Sequence, residues 1–316
     1  MMRVLVLGAG AVGGYFGGRL AQADSAEVAF LVRPGRKAQL DRDGLVIESA
    51  AAGDARLPVA ALLPDDLPRA GAWDVVLLTA KAYDLDAAIA AIRPAVSETT
   101  AVLPLLNGLS HLDTLIAAFG ASRVLGGLAK IQAALTADGV VRHLAPVQML
   151  EFGELDGAMS ERVQSLKRAF DAAGIRAEAV TDIRGRMWEK LVLIGTLAIA
   201  TVLMRANLGE IAAAGGQGWI DRVLERNVAI AAAHGYPVRP KALERELWPM
   251  FRGASAAAAS MLRDLEAGGR VESDHILGFL LEAARRAGVD PALHETAYLH
   301  AKAYEARRAA GRLPGP

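Results

Sequence analysis

Near the amino terminus, Gly8-Ala9-Gly10-Ala11-Val12-Gly13 has the G-x-G-x-x-G spacing that lets a backbone lie against a pyrophosphate. Glycines at Gly8, Gly10 and Gly13 permit a tight turn and a close approach, and the unpaired N–H groups of the helix that follows face the negative charge. About twenty residues further on, where a site for NAD ordinarily carries an acidic residue on the ribose hydroxyls, Leu31-Val32-Arg33-Pro34-Gly35-Arg36-Lys37 presents Arg33 instead. Arginine there can pair with a 2′-phosphate, and no carboxylate is nearby to oppose it, so NADPH is favoured over NADH; a solvated basic loop is the bland alternative. Two more polar groups follow apolar runs: Lys81 in Thr79-Ala80-Lys81-Ala82-Tyr83-Asp84, and Asn107 in Pro104-Leu105-Leu106-Asn107-Gly108-Leu109. Ligands of open α/β sheets bind beyond the carboxyl ends of strands, which would turn both toward the cofactor; read singly, they serve equally as a surface lysine and a turn. Lys190 stands at the mouth of Leu191–Met204, a run without a charge.

The elements that must position these residues follow from periodicity. Short apolar runs predict strands at Val4–Leu7, Val28–Val32, Val75–Thr79, Ala101–Leu105 and Val124–Leu128. Between them, helical spacing marks Val12–Ala23, Leu85–Ile92 and His111–Phe119, the alternation expected of a mostly parallel sheet. Within Ile131–Leu150, Asp138-Gly139 reads as a hairpin turn, so antiparallel strands should extend that sheet. After Thr181-Asp182 strand signals give way to Ala/Leu/Arg-rich helical patterns, with Asp182 a plausible N-cap. The expected class is α/β plus all-α: a Rossmann-type dinucleotide-binding domain over 1–181, then a helical substrate and catalytic domain over 182–316.

Composition removes other classes. Lys+Arg and Asp+Glu both number 35, which leaves no net positive field for a nucleic acid. The absence of cysteine excludes disulfides, thiolate nucleophiles and Cys-based metal sites, and is compatible with the cytoplasm. The charge-free run of 14 residues is shorter than the roughly 20 of a membrane span, so a core helix is expected rather than a membrane segment. Arg3, an apolar stretch and Ala21-Gln22-Ala23 imitate a secretory signal, but Arg19 interrupts it and the same residues fit the nucleotide motif better. The histidines His275, His294 and His300 lack the spacing of a metal site.

Taken in order, these residues resemble the ketopantoate reductase (2-dehydropantoate 2-reductase) family. The likeness spans nearly the whole chain: G-x-G-x-x-G, Arg33, Lys81 in "TAKAYD", Asn107-Gly108, "WEKL" at Trp188–Leu191, "SMLRDLEAGGRVESD" from Ser260 to Asp274, and "GVDP" ending at Pro291. The resemblance implies a Rossmann domain followed by a helical one, NADPH as cofactor, and reduction of a 2-oxo acid to (R)-pantoate on the route to pantothenate and coenzyme A. It assigns Lys190 as the group that hydrogen-bonds and protonates the substrate carbonyl, with Glu272 as its acidic partner. Ser260 would help hold the substrate carboxylate, Asn107 would sit between nicotinamide and reacting carbon, and Lys81 and Arg33 would serve the cofactor. Hydride addition builds negative charge on the carbonyl oxygen, and an ammonium in a dry cleft suits that need. Outside the family pattern, Lys190 is a lysine flanking an apolar helix and Glu272 a carboxylate in a helix's first turn.

The pattern departs in one place. Many members carry asparagines one and two turns after the lysine and another after the glutamate, where this chain has Ile194, Ala198 and Leu277. Thr201 is the next polar group on that helix face. A site without amides suits a substrate without the matching hydroxyls. Because Lys190 and Glu272 of the family pattern are retained, ketopantoate still leads. A paralogous (R)-2-hydroxy acid dehydrogenase for a less polar branched or aromatic 2-oxo acid follows. A non-catalytic NADP(H)-binding sensor ranks third, since it would need neither Lys190 nor Glu272. The Ala-rich helices of the second half could form a homodimer interface.

Overall fold

A computed structural model describes residues 1–252 and 255–313. The chain divides into two compact units, Met1–Leu106 with His111–Ile183, and Asn107–Ser110 with Arg184–Pro316.

In the first unit, β1 (Arg3–Leu7) leads into α1 (Ala11–Gln22), β2 (Glu27–Leu31) and α2 (Pro34–Asp43). Then come β3 (Leu45–Ser49), β4 (Ala55–Leu57), β5 (Ala60–Leu62), β6 (Val75–Leu78), α3 (Leu85–Ile92), β7 (Ala101–Pro104) and α4 (His111–Phe119). It closes with β8 (Leu125–Leu135), β9 (Val141–Glu154), α5 (Glu161–Ala172) and β10 (Arg176–Ala179). One sheet runs β5-β2-β1-β6-β7, with every pairing parallel. All four residues of β6 and of β7 are buried, as strands covered on both faces must be, which explains their unbroken apolar runs. Successive strands leave β1 in opposite directions, β2 on one side and β6 on the other, so a crevice opens at its carboxyl end.

The expected extension of this sheet by antiparallel strands does not occur. The hairpin at Asp138-Gly139 is present, with Thr136 N–H donating to the Val140 carbonyl, but β8 and β9 belong to a second sheet, ordered β10-β9-β3-β4, with β8 on β9. The long β9 pairs with β3 through Val141–His143 and with β10 through Met149–Phe152, so it binds different neighbours along its length. Only one isolated bridge, Val102 to Val124, links the two sheets among the described residues. Helix α1 lies between them: Gly17 sits against Val6 and Phe30 of the first sheet, Gly18 against Leu45 and Ile47 of the second. Tyr15, Phe16 and Leu20 are wholly buried there, each worth about 1.5–3 kcal/mol of apolar transfer. The phosphate-binding helix is thus held on both sides.

The second unit is helical: α6 (Ile183–Met204), α7 (Leu208–Ile211), α8 (Gln217–Ala233), α9 (Pro240–Ala242), α10 (Trp248–Phe251), α11 (Ser260–Glu266), α12 (Phe279–Ala287) and α13 (Ala292–Ala309). π-helical turns occupy Ala212–Gly216, Leu243–Leu247 and Asp274–Gly278. Helix α6 is longer than its charge-free run. At 22 residues it is long and apolar enough to cross a membrane, yet 61% of its most apolar 18-residue window is buried in the protein, the pattern of a core helix. Three buried polar side chains fix its place: Asn227 on α8 donates to Thr196 Oγ1 at 2.8 Å, and its carbonyl oxygen lies 2.8 Å from His294 Nε2 on α13. A chain of hydrogen bonds inside a core is costly unless each link is made, so it specifies one packing of the three helices.

Candidate active site

The glycine loop crosses from β1 to α1 as its spacing demands. Gly8 has φ of +93°, which a residue with a Cβ rarely adopts. A Cβ on Gly13 would stand 2.3 Å from the Gly8 carbonyl oxygen and 2.4 Å from Thr79 Oγ1, whereas one on Gly10 would meet nothing within 4 Å. The first and third glycines therefore make the turn, and the second faces open space where a pyrophosphate can approach. Thr79 braces the loop by donating to the Leu7 carbonyl at 2.7 Å. Beyond it lies a cleft of about 420 Å³, lined by Gly8, Gly10, Arg33, Lys81 and others. These features fit a dinucleotide.

Arg33 follows β2 by two residues and occupies the N-cap position of α2, with Pro34 starting the helix. Its side chain is 86% exposed, with the guanidinium 3.2 Å from the Asp84 carboxylate. The expectation that no carboxylate stands near Arg33 is thus corrected: Asp84 comes from the turn after β6, 51 residues away in sequence. Arg36 was missed as a site residue, although it lies in the same basic stretch. Its side chain donates twice to the Ala9 carbonyl of the glycine loop, at 2.8 and 3.1 Å, and once each to Gly139 O and Gln39 Oε1. Burial lowers its pKa from the ordinary arginine value. Arg36 is spent on holding the loop to the hairpin turn.

In the second unit, Lys190 lies in the second turn of α6 and donates to Asn107 Oδ1 at 3.0 Å. Asn107 belongs to this unit although its neighbours in sequence, up to Leu106 and from His111, do not. Gly108, at φ of +85°, seats the turn so closely that a Cβ there would be 2.9 Å from the His275 carbonyl oxygen. That contact brings the Asn107 turn against the π-helical segment which follows Glu272. Glu272 itself is buried. Helix α13 grips the next two residues: Ser273 donates to Glu305, and Asp274 accepts from Tyr298 at 2.7 Å and Lys302 at 3.1 Å. Burial opposes ionisation of Asp274, but those hydrogen bonds hold its carboxyl below the usual range. Burial likewise depresses the His275 imidazole, against the raising influence of Glu272 and Asp274.

Ser260 is exposed, in the first turn of α11. The residue before it, Ala259, donates its N–H to Thr201 Oγ1 at 3.2 Å, and Thr201 donates in turn to the Leu197 carbonyl at 2.8 Å. Thr201 thus ties the start of α11 to α6. Along α6 and beyond, Ala198 and Leu277 are 1% exposed and Ile194 is half-buried.

The sequence of the first unit matches the family model "Ketopantoate reductase PanE/ApbA" over residues 4–157, and that of the second matches "Ketopantoate reductase PanE/ApbA C terminal" over 182–305. The chain belongs to the ketopantoate reductase family. Among its relatives is the uncharacterized oxidoreductase YkpB of Bacillus subtilis, 35% identical over 97% of this chain and 100% of the relative. The 2-dehydropantoate 2-reductase of Halobacterium salinarum is 30% identical over 90% of this chain and 92% of its own. Among solved structures, the 2-dehydropantoate 2-reductase of Methylococcus capsulatus superposes with a TM-score of 0.86 at 29% identity, covering 97% of both chains. Membership makes this protein an oxidoreductase with a pyridine-nucleotide-binding fold, as a Rossmann-type sheet before a helical unit leads one to expect.

Proposed function

We propose that this ketopantoate reductase family member is an NADPH-dependent 2-oxo acid reductase of the cytoplasm. Its foremost candidate substrate is 2-dehydropantoate, reduced to (R)-pantoate. The observation that carries this reading is the 3.0 Å hydrogen bond from Lys190 to Asn107, on a turn seated against the segment that follows Glu272. It brings a cation and an amide together on a turn beside the segment that follows the buried Glu272, an arrangement suited to carbonyl reduction. The loop Gly8–Gly13 and Arg33 would hold the pyrophosphate and 2′-phosphate of NADPH, with Lys81 on the same cleft.

When bound, NADPH supplies the hydride to the carbonyl carbon. As that carbon accepts it, the C=O π electrons move to oxygen, and Lys190 stabilises the charge and delivers a proton, yielding a hydroxyl. Asn107, accepting from Lys190, aims the ammonium and limits its swing. Glu272 sets the charge balance around it, and Ser260 is the candidate partner for the substrate carboxylate. Ile194, Ala198 and Leu277 favour a second reading, in which the side chain of the 2-oxo acid is less polar than that of ketopantoate.

NADPH oxidation measured with ketopantoate beside branched and aromatic 2-oxo acids tests the proposal. Turnover of ketopantoate at the highest kcat/KM supports the first reading, and an apolar 2-oxo acid in that place supports the second. Binding of NADPH without turnover of any 2-oxo acid would sink both.

A further inference from the structure

The ion pair between Arg33 and Asp84 uses the same guanidinium that a 2′-phosphate would need, and both residues line the cleft beside the glycine loop. We propose that Asp84 is a cofactor-selecting residue, whose carboxylate competes with the 2′-phosphate for Arg33 and so narrows the preference for NADPH over NADH. The inference rests on the reading of Arg33 as the 2′-phosphate contact.

Three observations carry it. Asp84 Oδ2 lies 3.2 Å from Arg33 Nη2, and its side chain is 31% exposed, so it remains accessible to a ligand in the cleft. Asp84 ends the turn after β6 and occupies the N-cap position of α3, which sets it on the wall of the cleft together with Arg33. Arg36, the other arginine of the cleft, already donates to Ala9, Gly139 and Gln39, which leaves Arg33 as the arginine able to turn to a phosphate. A phosphate monoester carries about −1.5 to −2 charges at neutral pH, and a carboxylate within reach of the same cation repels it. The 2′-hydroxyl of NADH meets no such repulsion and can donate a hydrogen bond to a carboxylate.

The test measures the dissociation constants of NADPH and NADH by nicotinamide fluorescence, with no oxo acid present, for the parent chain, Asp84→Asn, Asp84→Ala and Arg33→Gln. Both Asp84 variants should tighten NADPH about two- to fivefold relative to NADH at low salt, the scale of an exposed ion pair, with the gain shrinking as salt rises. In the double variant Arg33→Gln/Asp84→Asn the gain should vanish. An unchanged or reduced NADPH preference in both Asp84 variants overturns the proposal, as does an equal shift for the two cofactors, the result of a merely structural role. Should Arg33→Gln leave the preference intact, the reading of Arg33 itself fails. Should Arg33→Gln abolish it while the Asp84 variants match the parent, only the inference about Asp84 fails.

Discussion

In the proposed reading the glycine loop of the first unit would meet its ligand with backbone, whereas Lys190 in the second would do its work with side-chain atoms. Gly8–Gly13 are consecutive residues whose conformation and close packing leave open space at Gly10, before the first turn of α1. Lys190 and its partner Asn107 are 83 residues apart, and the π-helical turn that seats Asn107 lies further on still. A backbone site is built by what is missing from the residues, a side-chain site by what several distant elements hold in place. Damage to the first should therefore appear in folding and cofactor affinity together, and damage to the second in rate alone.

The largest effect that would sharpen this contrast is expected from Lys190→Ala. Loss of a preorganised donor at a developing oxyanion costs about 10²–10³ in kcat, and loss of the proton donor adds to it, while the dissociation constant of NADPH should stay near that of the parent. A kcat within a few-fold of the parent would break the assignment. Next in size is Gly13→Ala. Its Cβ would stand 2.3 Å from a backbone oxygen, so the loop must move, at about 1–3 kcal/mol of stability. Melting temperature and NADPH affinity should fall together; loss of one without the other would separate what the comparison joins.

A third prediction concerns the helical core. Burial, aided by Arg226 and opposed by Asp290, lowers the pKa of His294 to about 4 from 6.5. The unfolded chain then binds more protons than the folded one between those values. Stability is fully present above pH 6.5 and declines as pH falls toward 4, on the order of 3 kcal/mol in all. Denaturant titrations across that range should show the slope, and His294→Gln should flatten it. The smallest effect is a gain: Ile194→Asn with Ala198→Asn should raise kcat/KM for ketopantoate a few-fold if those apolar positions restrict the substrate, and no gain would count against the less polar reading.

Much of the first unit was legible because local rules produce it. The strands of the parallel sheet are apolar runs, α1 follows its glycines, and Asp138-Gly139 marks a true hairpin. The second sheet was legible only in part: the strand expected at Val124–Leu128 is the start of β8, and the hairpin leads into β9, but both were expected in the first sheet. The alanine-rich remainder of β8 weakens its strand signal, and β9 contains Pro146 and buries Glu151, 3.6 Å from Lys130. Strands β3, β4 and β10 pair with polar or short neighbours whose register depends on the rest of the sheet. In the cofactor cleft, Asp84 was invisible beside Arg33 because only the fold joins the ends of β2 and β6. On the lysine side, residue types suggested chemistry only through family resemblance, because the 83 residues between Lys190 and Asn107 hide their hydrogen bond from any local rule.

The four residues Asn107–Ser110 have a consequence for how this enzyme can be recombined. Because they leave the first unit and return to it, the chain changes units three times, after Leu106, after Ser110 and after Ile183. A chimera made by exchanging everything beyond Thr181-Asp182 with a relative would inherit one parent's Asn107 turn and the other parent's lysine helix and His275 segment. Residues in direct contact do not substitute independently. The exchangeable piece is therefore discontinuous, and the short turn should travel with the helices it serves.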